Sequence, residues 1–218
     1  MSGFFLAGCF LFSGCGDVTE EATTADEPVY GENSAEWVHS PIEPVELMDR
    51  ILALSDEEVE TDWAKIQERL ESGGREYRQQ LVRSFDSEGD GVVDPSQLDD
   101  FVEEENRIRR QQSADLRTYL REQYDTDGDG RLTRAELEEV FEAFRRIADL
   151  ERNSEREKLA RKSLELRLFD WENKGYLTPS EWVAAGRLRR EAFRDGDPDD
   201  VISIPTPVRP RRVQRSSE

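Results

Sequence analysis

The sequence predicts an all-α protein, and three observations support that fold class. Apolar side chains recur every three or four residues along most of the chain, which is the spacing of one helical face. The segments 55–58 (SDEE) and 154–157 (SERE) have the serine-to-glutamate pattern of a helical capping box. No long segment alternates apolar and polar residues as a half-buried strand does. The 218 residues suffice for one domain of ordinary size, and the hydrophobic content of 35% requires a core built from narrow amphipathic faces.

The helices are predicted in order from their apolar residues. A helix that begins after Ser55 is expected to end at Gly73 and Gly74, because glycine is a poor helix former. Further helical faces follow it, and the capping box at Ser154 starts a helix that reaches Phe169. The residues that mark the other faces are Val59, Trp63, Ile66 and Leu70; Tyr77, Leu81 and Phe85; Leu98, Phe101, Val102 and Ile108; Leu116, Tyr119, Leu120 and Tyr124; and Leu137, Val140, Phe141 and Phe144.

The N-terminal segment has the features of a secretory signal. Residues 3–14 form an apolar run that is too short to span a bilayer as a helix. The tetrapeptides that end in Cys9 (LAGC) and Cys15 (FSGC) both resemble the cleavage box of bacterial lipoproteins, in which the cysteine is lipidated. Cys15 is preferred because cleavage there leaves a longer apolar region, although no Lys or Arg precedes the run. The resemblance implies a lipid anchor in the bacterial cell envelope; the alternative is a cytoplasmic protein with an apolar tail.

Both ends of the chain are predicted to lie outside the folded domain. Residues 1–15 form the signal segment, and residues 16–45 form a disordered acidic tether with few apolar groups. Residues 204–218 form a disordered tail that is rich in proline and arginine, and this basic tail either stays solvated or folds back on the acidic domain. The helical domain is therefore expected at residues 46–203.

The charge and the rare residue types exclude several functions. A formal net charge of -20 repels phosphate groups, so binding to nucleic acid is disfavoured. The two cysteines both lie in the signal segment, and the single histidine, His39, has no second histidine with which to share a metal. No serine, cysteine or histidine constellation indicates an enzyme.

Three acidic loops follow predicted helices at similar intervals. Each starts with an aspartate after an aromatic residue, and we name them the first loop (86–97), the second loop (125–136) and the third loop (170–181). In all three loops acids occupy the first and third positions, and glycine occupies the sixth position. These loops resemble the calcium loop of the EF-hand family over residues 74–195, which implies helix–loop–helix repeats. Such a loop wraps about six to eight oxygens around calcium at ~2.4 Å, and its glycine permits the sharp turn.

The second loop, DTDGDGRLTRAE, matches the EF-hand pattern at every position. The resemblance implies side-chain ligands from Asp125, Asp127 and Asp129, a carbonyl ligand from Arg131, and two carboxylate oxygens from Glu136. Gly130 makes the turn, and Thr133 lies where a water or hydroxyl ligand is expected. Thr133 and Glu136 also form a capping box, which fixes the closing ligand at the start of a helix. This loop is predicted to bind calcium.

The first loop, DSEGDGVVDPSQ, is predicted to bind more weakly. The corresponding ligands are Asp86, Glu88, Asp90, the carbonyl of Val92 and Gln97. Because Gln97 replaces the closing glutamate, it offers one oxygen and no charge, so the affinity should fall or magnesium should compete better. The alternative is an ordinary helix start, capped by Asp94 and with Pro95 at the first helical position.

The third loop, DWENKGYLTPSE, is predicted to be structural. Lys174 places an ammonium group at a ligand position, where it repels calcium and neutralises the acids as a tethered cation. We therefore expect one paired lobe from the first and second loops plus a third, degenerate hand. The apolar eighth residues Val93 and Leu132 should form the contact between the paired loops. Residues 195–206, with Ile202 at the eighth position, hint at the relic of a fourth loop that would partner the third. Because Asp200 replaces the glycine and Thr206 replaces the closing acid, a loop-like acidic cluster is the preferred interpretation.

These features predict a non-enzymatic calcium-binding protein that is held at a membrane outside the cytoplasm. Calcium is expected mainly to stabilise the structure or to be buffered. The alternative is a calcium-dependent sensor or adaptor that exposes an apolar groove to a protein partner. This alternative is less favoured because the chain has only Met1 and Met48 with which to build a methionine-rich groove. The sequence does not identify the partner.

Overall fold

Six α-helices account for most of the part of the chain that the structure describes. The computed structural model describes residues 42–210, so the predicted signal segment with Cys15, most of the predicted tether and the end of the predicted tail lie outside it. The helices are α1 (Pro44–Ala53), α2 (Asp56–Arg83), α3 (Leu98–Tyr124), α4 (Glu138–Ala148), α5 (Glu155–Phe169) and α6 (Pro179–Glu191). Within residues 42–210 the β-structure is limited to one antiparallel bridge between Thr133 and Val201. The predicted all-α class is confirmed.

The helices pack around one apolar core with α5 at its centre. This helix contacts α1, α2, α4 and α6, while α3 packs against α6. The rings of Phe141 and Phe169 are the largest of the fully buried side chains in the described range. Side-chain caps start α2 and α5: Ser55 and Glu58 form the predicted capping box, and Ser154 caps α5. In residues 42–210 no helix has the length and apolar character needed to cross a membrane.

Helix α2 continues through the two glycines where a helix end was predicted, so that prediction was wrong. Gly73 is buried, and a Cβ atom at this position would lie 2.9 Å from Cγ of Tyr176. The absent side chain therefore lets the third loop approach α2 closely, and the Tyr176 ring also packs against Tyr77 with the ring centroids 6.1 Å apart. Glycine is about 1 kcal/mol per residue less favourable than alanine in a helix, and packing of α2 against α5 offsets this cost.

Helix α3 separates the first and second loops, which were expected to pair. It contains 27 residues without interruption, which corresponds to about 40 Å at 1.5 Å per residue. The two loops lie at its opposite ends, so the expected contact between Val93 and Leu132 does not form. The expectation assumed a turn between two shorter helices, but no glycine or proline lies between Leu98 and Tyr124.

The packed region is wider than the predicted domain of residues 46–203. At one end α1 begins at Pro44, and Ile42 before it is only 3% exposed. At the other end Ile204 is 6% exposed, and the amide of Asn106 on α3 is hydrogen-bonded to the backbone of Arg209. Residues 204–210 therefore lie against the domain, and the predicted start of the tail at residue 204 was too early.

Candidate metal centre

The three loops follow the same backbone path. In each loop the fourth and sixth residues have left-handed φ angles, and the amide of the sixth residue donates to the aspartate at the first position. The φ values are 74° and 81° at Gly89 and Gly91, 73° and 80° at Gly128 and Gly130, and 55° and 77° at Asn173 and Gly175. The hydrogen bonds are Gly91 to Asp86 at 2.8 Å, Gly130 to Asp125 at 2.8 Å and Gly175 to Asp170 at 2.6 Å. Three different sequences thus form the same tight turn around the first aspartate.

The second loop brings three carboxylates together. One oxygen from each of Asp125, Asp127 and Glu136 lies within 4.8 Å of the other two, and within residues 42–210 no other group of three or more His, Cys, Asp or Glu side chains has this geometry. Two oxygens that each lie ~2.4 Å from one calcium ion are at most about 4.8 Å apart. The amides of Gly128 and Gly130 hold the two oxygens of Asp125, each at 2.8 Å. These three side chains can therefore reach a single ion.

Glu136 joins the two ends of the second loop. One of its oxygens accepts the amide of Thr126 at 2.9 Å, and the other accepts the amide and the hydroxyl of Thr133 at 2.8 Å each. The Thr133 amide is the largest cause of a lowered pKa of about 2 for Glu136, and the Thr133 hydroxyl and the Thr126 amide add to it against the opposing effect of burial. Glu136 is therefore an anion at neutral pH and is held at the closing position of the loop.

Asp129 lies outside this group of three. Its Oδ1 accepts the amide of Arg131 at 2.7 Å, which keeps the carboxylate turned toward the backbone of its own loop. Arg131 itself is exposed. The structure thus brings together three of the four predicted carboxylate ligands of the second loop.

The first loop fits an ion less well. Asp86 accepts the amides of Gly89, Asp90 and Gly91, and the bond from Gly91 is the largest cause of its lowered pKa. In the described chain, however, the acids of this loop do not converge as those of the second loop do. At the closing position Oε1 of Gln97 is buried without a hydrogen-bond partner.

The exit from the first loop also matches the alternative interpretation of an ordinary helix start. Asp94 caps the short 3-10 helix Pro95–Gln97 by accepting the amide of Ser96 at 2.7 Å. The cap at Asp94 favours the helix start, and the unpartnered buried oxygen of Gln97 favours a ligand role. Binding at the first loop stays a prediction.

The third loop contains its own cation. Nζ of Lys174 lies 2.8 Å from Glu172, 2.9 Å from Glu181 and 3.6 Å from Asp170. Burial works against the charge of the ammonium group, but the hydrogen bonds and charges of Glu172 and Glu181 outweigh it and raise the pKa of Lys174. Burial also raises the pKa of Glu181 despite the attraction of Lys174. The ammonium group thus takes the place among the acids that was predicted for a tethered cation.

The second loop pairs with a segment near the C-terminus. We name residues 198–210 the C-terminal strap. The amide of Ile202 donates to the carbonyl of Leu132 at 2.8 Å, and the amides of Arg134 and Ala135 donate to the strap at Asp200 and Pro198, at 2.9 and 3.0 Å. From the sequence, Ile202 lies in a loop-like acidic segment that hints at a partner for the third loop, whereas the structure pairs this residue with the second loop. The acids of residues 195–206 do not converge, and the backbone at Asp200 lacks the left-handed turn of the other loops.

Arg134 is a structural residue of this region that sequence analysis missed. It is 8% exposed, donates to the backbone carbonyl of Glu191 at 3.0 Å, and lies over the ring of Phe141 at 5.2 Å from its centroid. It anchors the exit half of the second loop to the end of α6. The sequence held no signal for this role, because an arginine at the tenth position of an acidic loop is ordinarily solvated.

Comparison of the chain with protein-family models, with curated proteins and with solved structures gives no significant match.

Proposed function

We propose that the second loop binds one calcium ion and that the chain is a non-enzymatic calcium-binding protein. The observation that supports this most strongly is the approach of oxygens from Asp125, Asp127 and Glu136 to within 4.8 Å of one another. Calcium is a hard cation that takes oxygen ligands in flexible geometry, whereas magnesium requires a near-ideal octahedron at ~2.0–2.1 Å. A loop of carboxylates with a two-oxygen closing residue, in which Asp127 is exposed and Asp125 and Glu136 are half-buried, suits the larger ion. The first loop is proposed as a weaker site for calcium or magnesium.

The ion is proposed mainly to stabilise the fold or to be buffered. A ligand that binds only the folded state raises the free energy of unfolding by mass action. The gain is about 2.7 kcal/mol when the free ligand concentration is one hundred times the Kd. The second loop connects α3 to α4 and also holds the C-terminal strap, so an ion there would connect three parts of the domain. It would also reduce the repulsion among acids in a chain of net charge -20.

The membrane anchor is a separate part of the proposal. It rests on the sequence around Cys15, which lies outside the described residues. A lipid at that cysteine would hold the domain at the bacterial cell envelope, and two acyl chains or more are needed for stable anchoring. Incorporation of labelled fatty acid that is lost in Cys15→Ser would support this part, and unlabelled wild-type protein would contradict it.

A groove beside the first loop supports a second candidate function, a calcium-dependent adaptor. The groove has a volume of about 770 Å³, and its aromatic lining comes from Tyr77, Phe101, Tyr176 and Trp182. Asp86 of the first loop also lines it, so an ion there would act on the groove wall. A dye that reports exposed apolar surface should brighten on addition of calcium if the protein is an adaptor, and should not respond if calcium only stabilises the fold.

Calorimetric titration of the metal-free chain with calcium tests the main proposal. Glu136→Gln removes one unit charge at ~2.4 Å from a divalent ion, an interaction of about 3.5 kcal/mol even at the dielectric constant of water. The affinity of the second loop should therefore fall by more than about a hundredfold. Glu139→Gln makes the same charge change at an exposed neighbouring position on α4 and serves as the control. The proposal fails if the wild type binds no calcium, or if the two variants have the same affinity.

A further inference from the structure

The C-terminal strap connects the second loop with a distant part of α3. Beyond Ile202 it buries Ile204, and Nη1 of Arg117 donates to the hydroxyl of Thr206 at 3.2 Å. Asn106 then accepts the amide of Arg209 at 2.7 Å and donates to its carbonyl at 2.8 Å. On α3 the contacts of Asn106 and Arg117 lie 11 residues apart, which corresponds to about 16 Å of helix. The strap is therefore held against the domain at both ends and in the middle.

The far end of the strap reaches the groove beside the first loop. Nε of Arg209 lies 3.3 Å from Glu105, a carboxylate on α3 that is 3% exposed. Glu105 also accepts a hydrogen bond from Arg109, and all three residues line the groove. One continuous segment thus contacts the second loop at its start and the groove wall at its end.

Thr133 is shared by the ion site and the strap. Its backbone forms the β-bridge with Val201 of the strap, and its amide and hydroxyl hold the carboxylate of Glu136. A displacement of the strap must act on the residue that positions the closing ligand. Conversely, an ion that fixes Glu136 also fixes the backbone to which the strap is paired.

We propose that ion binding at the second loop and docking of the C-terminal strap are thermodynamically coupled, so that the ion controls whether the strap reaches the groove. The inference rests on the proposed function and adds a means of regulation to it. Coupling is reciprocal: if the ion strengthens docking of the strap, loss of docking weakens ion binding by the same factor. Measured couplings of this kind lie in the range of roughly 5- to 150-fold.

The test uses the full chain with one substitution in the strap and a matched control. Ile204→Asp places a charge at a buried position and should release the strap, whereas Ser203→Asp makes the same charge change at the exposed neighbouring residue. Neither residue belongs to the second loop. Calorimetric titration with calcium should show affinity about tenfold lower in Ile204→Asp than in Ser203→Asp. Equal affinities would overturn the coupling alone, and absence of calcium binding in the wild type would overturn the proposed function and the coupling together.

A second measurement covers the case in which Ile204→Asp fails to fold. Asn106→Ala removes both hydrogen bonds to Arg209 while keeping a good helix former in α3. Exchange of the Ile202 and Arg209 amides, followed by NMR, should slow several-fold on addition of calcium in the wild type. In Asn106→Ala the protection of Arg209 should be lost and the calcium affinity should fall several-fold. Exchange at these two amides that is independent of calcium would contradict the coupling.

Discussion

Replacing Lys174 by aspartate should destabilise the metal-free protein and create a new calcium site in the third loop. The ammonium group lies among three acids, and two of these, Asp170 and Glu181, have side chains that are 0% and 3% exposed. Removing the cation leaves these carboxylates without their counter-charge in a buried position. The substitution also adds a carboxylate at the position where the second loop has Asp129, so the loop then carries the full set of acids.

The size of the effect follows from the burial of the group. Loss of one partner from a buried ion pair costs about 3–5 kcal/mol, because the remaining charge stays buried without compensation. For a domain of this size 1 kcal/mol corresponds to roughly 2–4 °C in Tm, so Lys174→Asp should melt at least about 6 °C below the wild type in chelator. Calcium at one hundred times its Kd should recover about 2.7 kcal/mol of that loss.

Thermal melting of Lys174→Asp with chelator and with calcium provides the assay. Lys158→Asp is the control, because it makes the same charge change at a lysine whose partner Glu155 is 43% exposed, and such surface pairs contribute about 0–1 kcal/mol. The control should lose little stability, and its response to calcium should match that of the wild type. Equal Tm values for Lys174→Asp and the control in chelator would refute the role of Lys174 as a buried counter-charge. A calcium response that neither restores the Tm of Lys174→Asp nor adds a binding equivalent would refute the new site.

Two further predictions concern α2 and the closing residue of the second loop. Gly73→Ala should destabilise the protein by about 1–2 kcal/mol, since the new methyl group meets the ring of Tyr176 and overpacking of this kind outweighs the gain in helix propensity. Gly74→Ala should instead stabilise the protein by about 0.5–1 kcal/mol, because nothing lies within 4 Å of the added atom. Chemical denaturation measures the free energy of unfolding of both variants, and equal changes would contradict the packing of Tyr176 against Gly73. For Glu136, the pKa of about 2 in the folded state lies below the ordinary value of 4.5, so its contribution to stability is present above pH 4.5 and is lost as the pH falls toward about 2. The free energy of unfolding of the metal-free protein should therefore decrease over this range, and less so in Glu136→Gln; parallel pH profiles would contradict the assignment.

The sequence was sufficient to predict the helical class and the sharp turn at Gly130 in the second loop. Both depend on local chemistry: the capping box at Ser55 and the turn at Gly130 are decided by residues within a few positions of each other. The tethered cation at Lys174 could be predicted for the same reason, because its partners lie in its own loop.

The features that could not be predicted depend on contacts between distant parts of the chain. Helix α2 continues through Gly73 because its packing against α5 offsets the low helix propensity of glycine, and nothing near Gly73 in sequence indicates that packing or the approach of Tyr176. The strap holds Leu132 through Ile202, seventy residues further along. The segment 98–124 has no glycine or proline to end a helix, but the 39 residues between the starts of the first and second loops also fit two shorter helices joined by a turn.

The most direct test of the central claim is an NMR titration of the metal-free chain with calcium, observed at the amide of Gly130. This amide donates to Asp125, one of the three convergent carboxylates, so an ion in the second loop must change its surroundings. We expect the Gly130 resonance to shift strongly as calcium is added and to stop shifting once one calcium ion fills the second loop. A Gly130 resonance that stays in place at millimolar calcium would contradict the assignment of the second loop as an ion site.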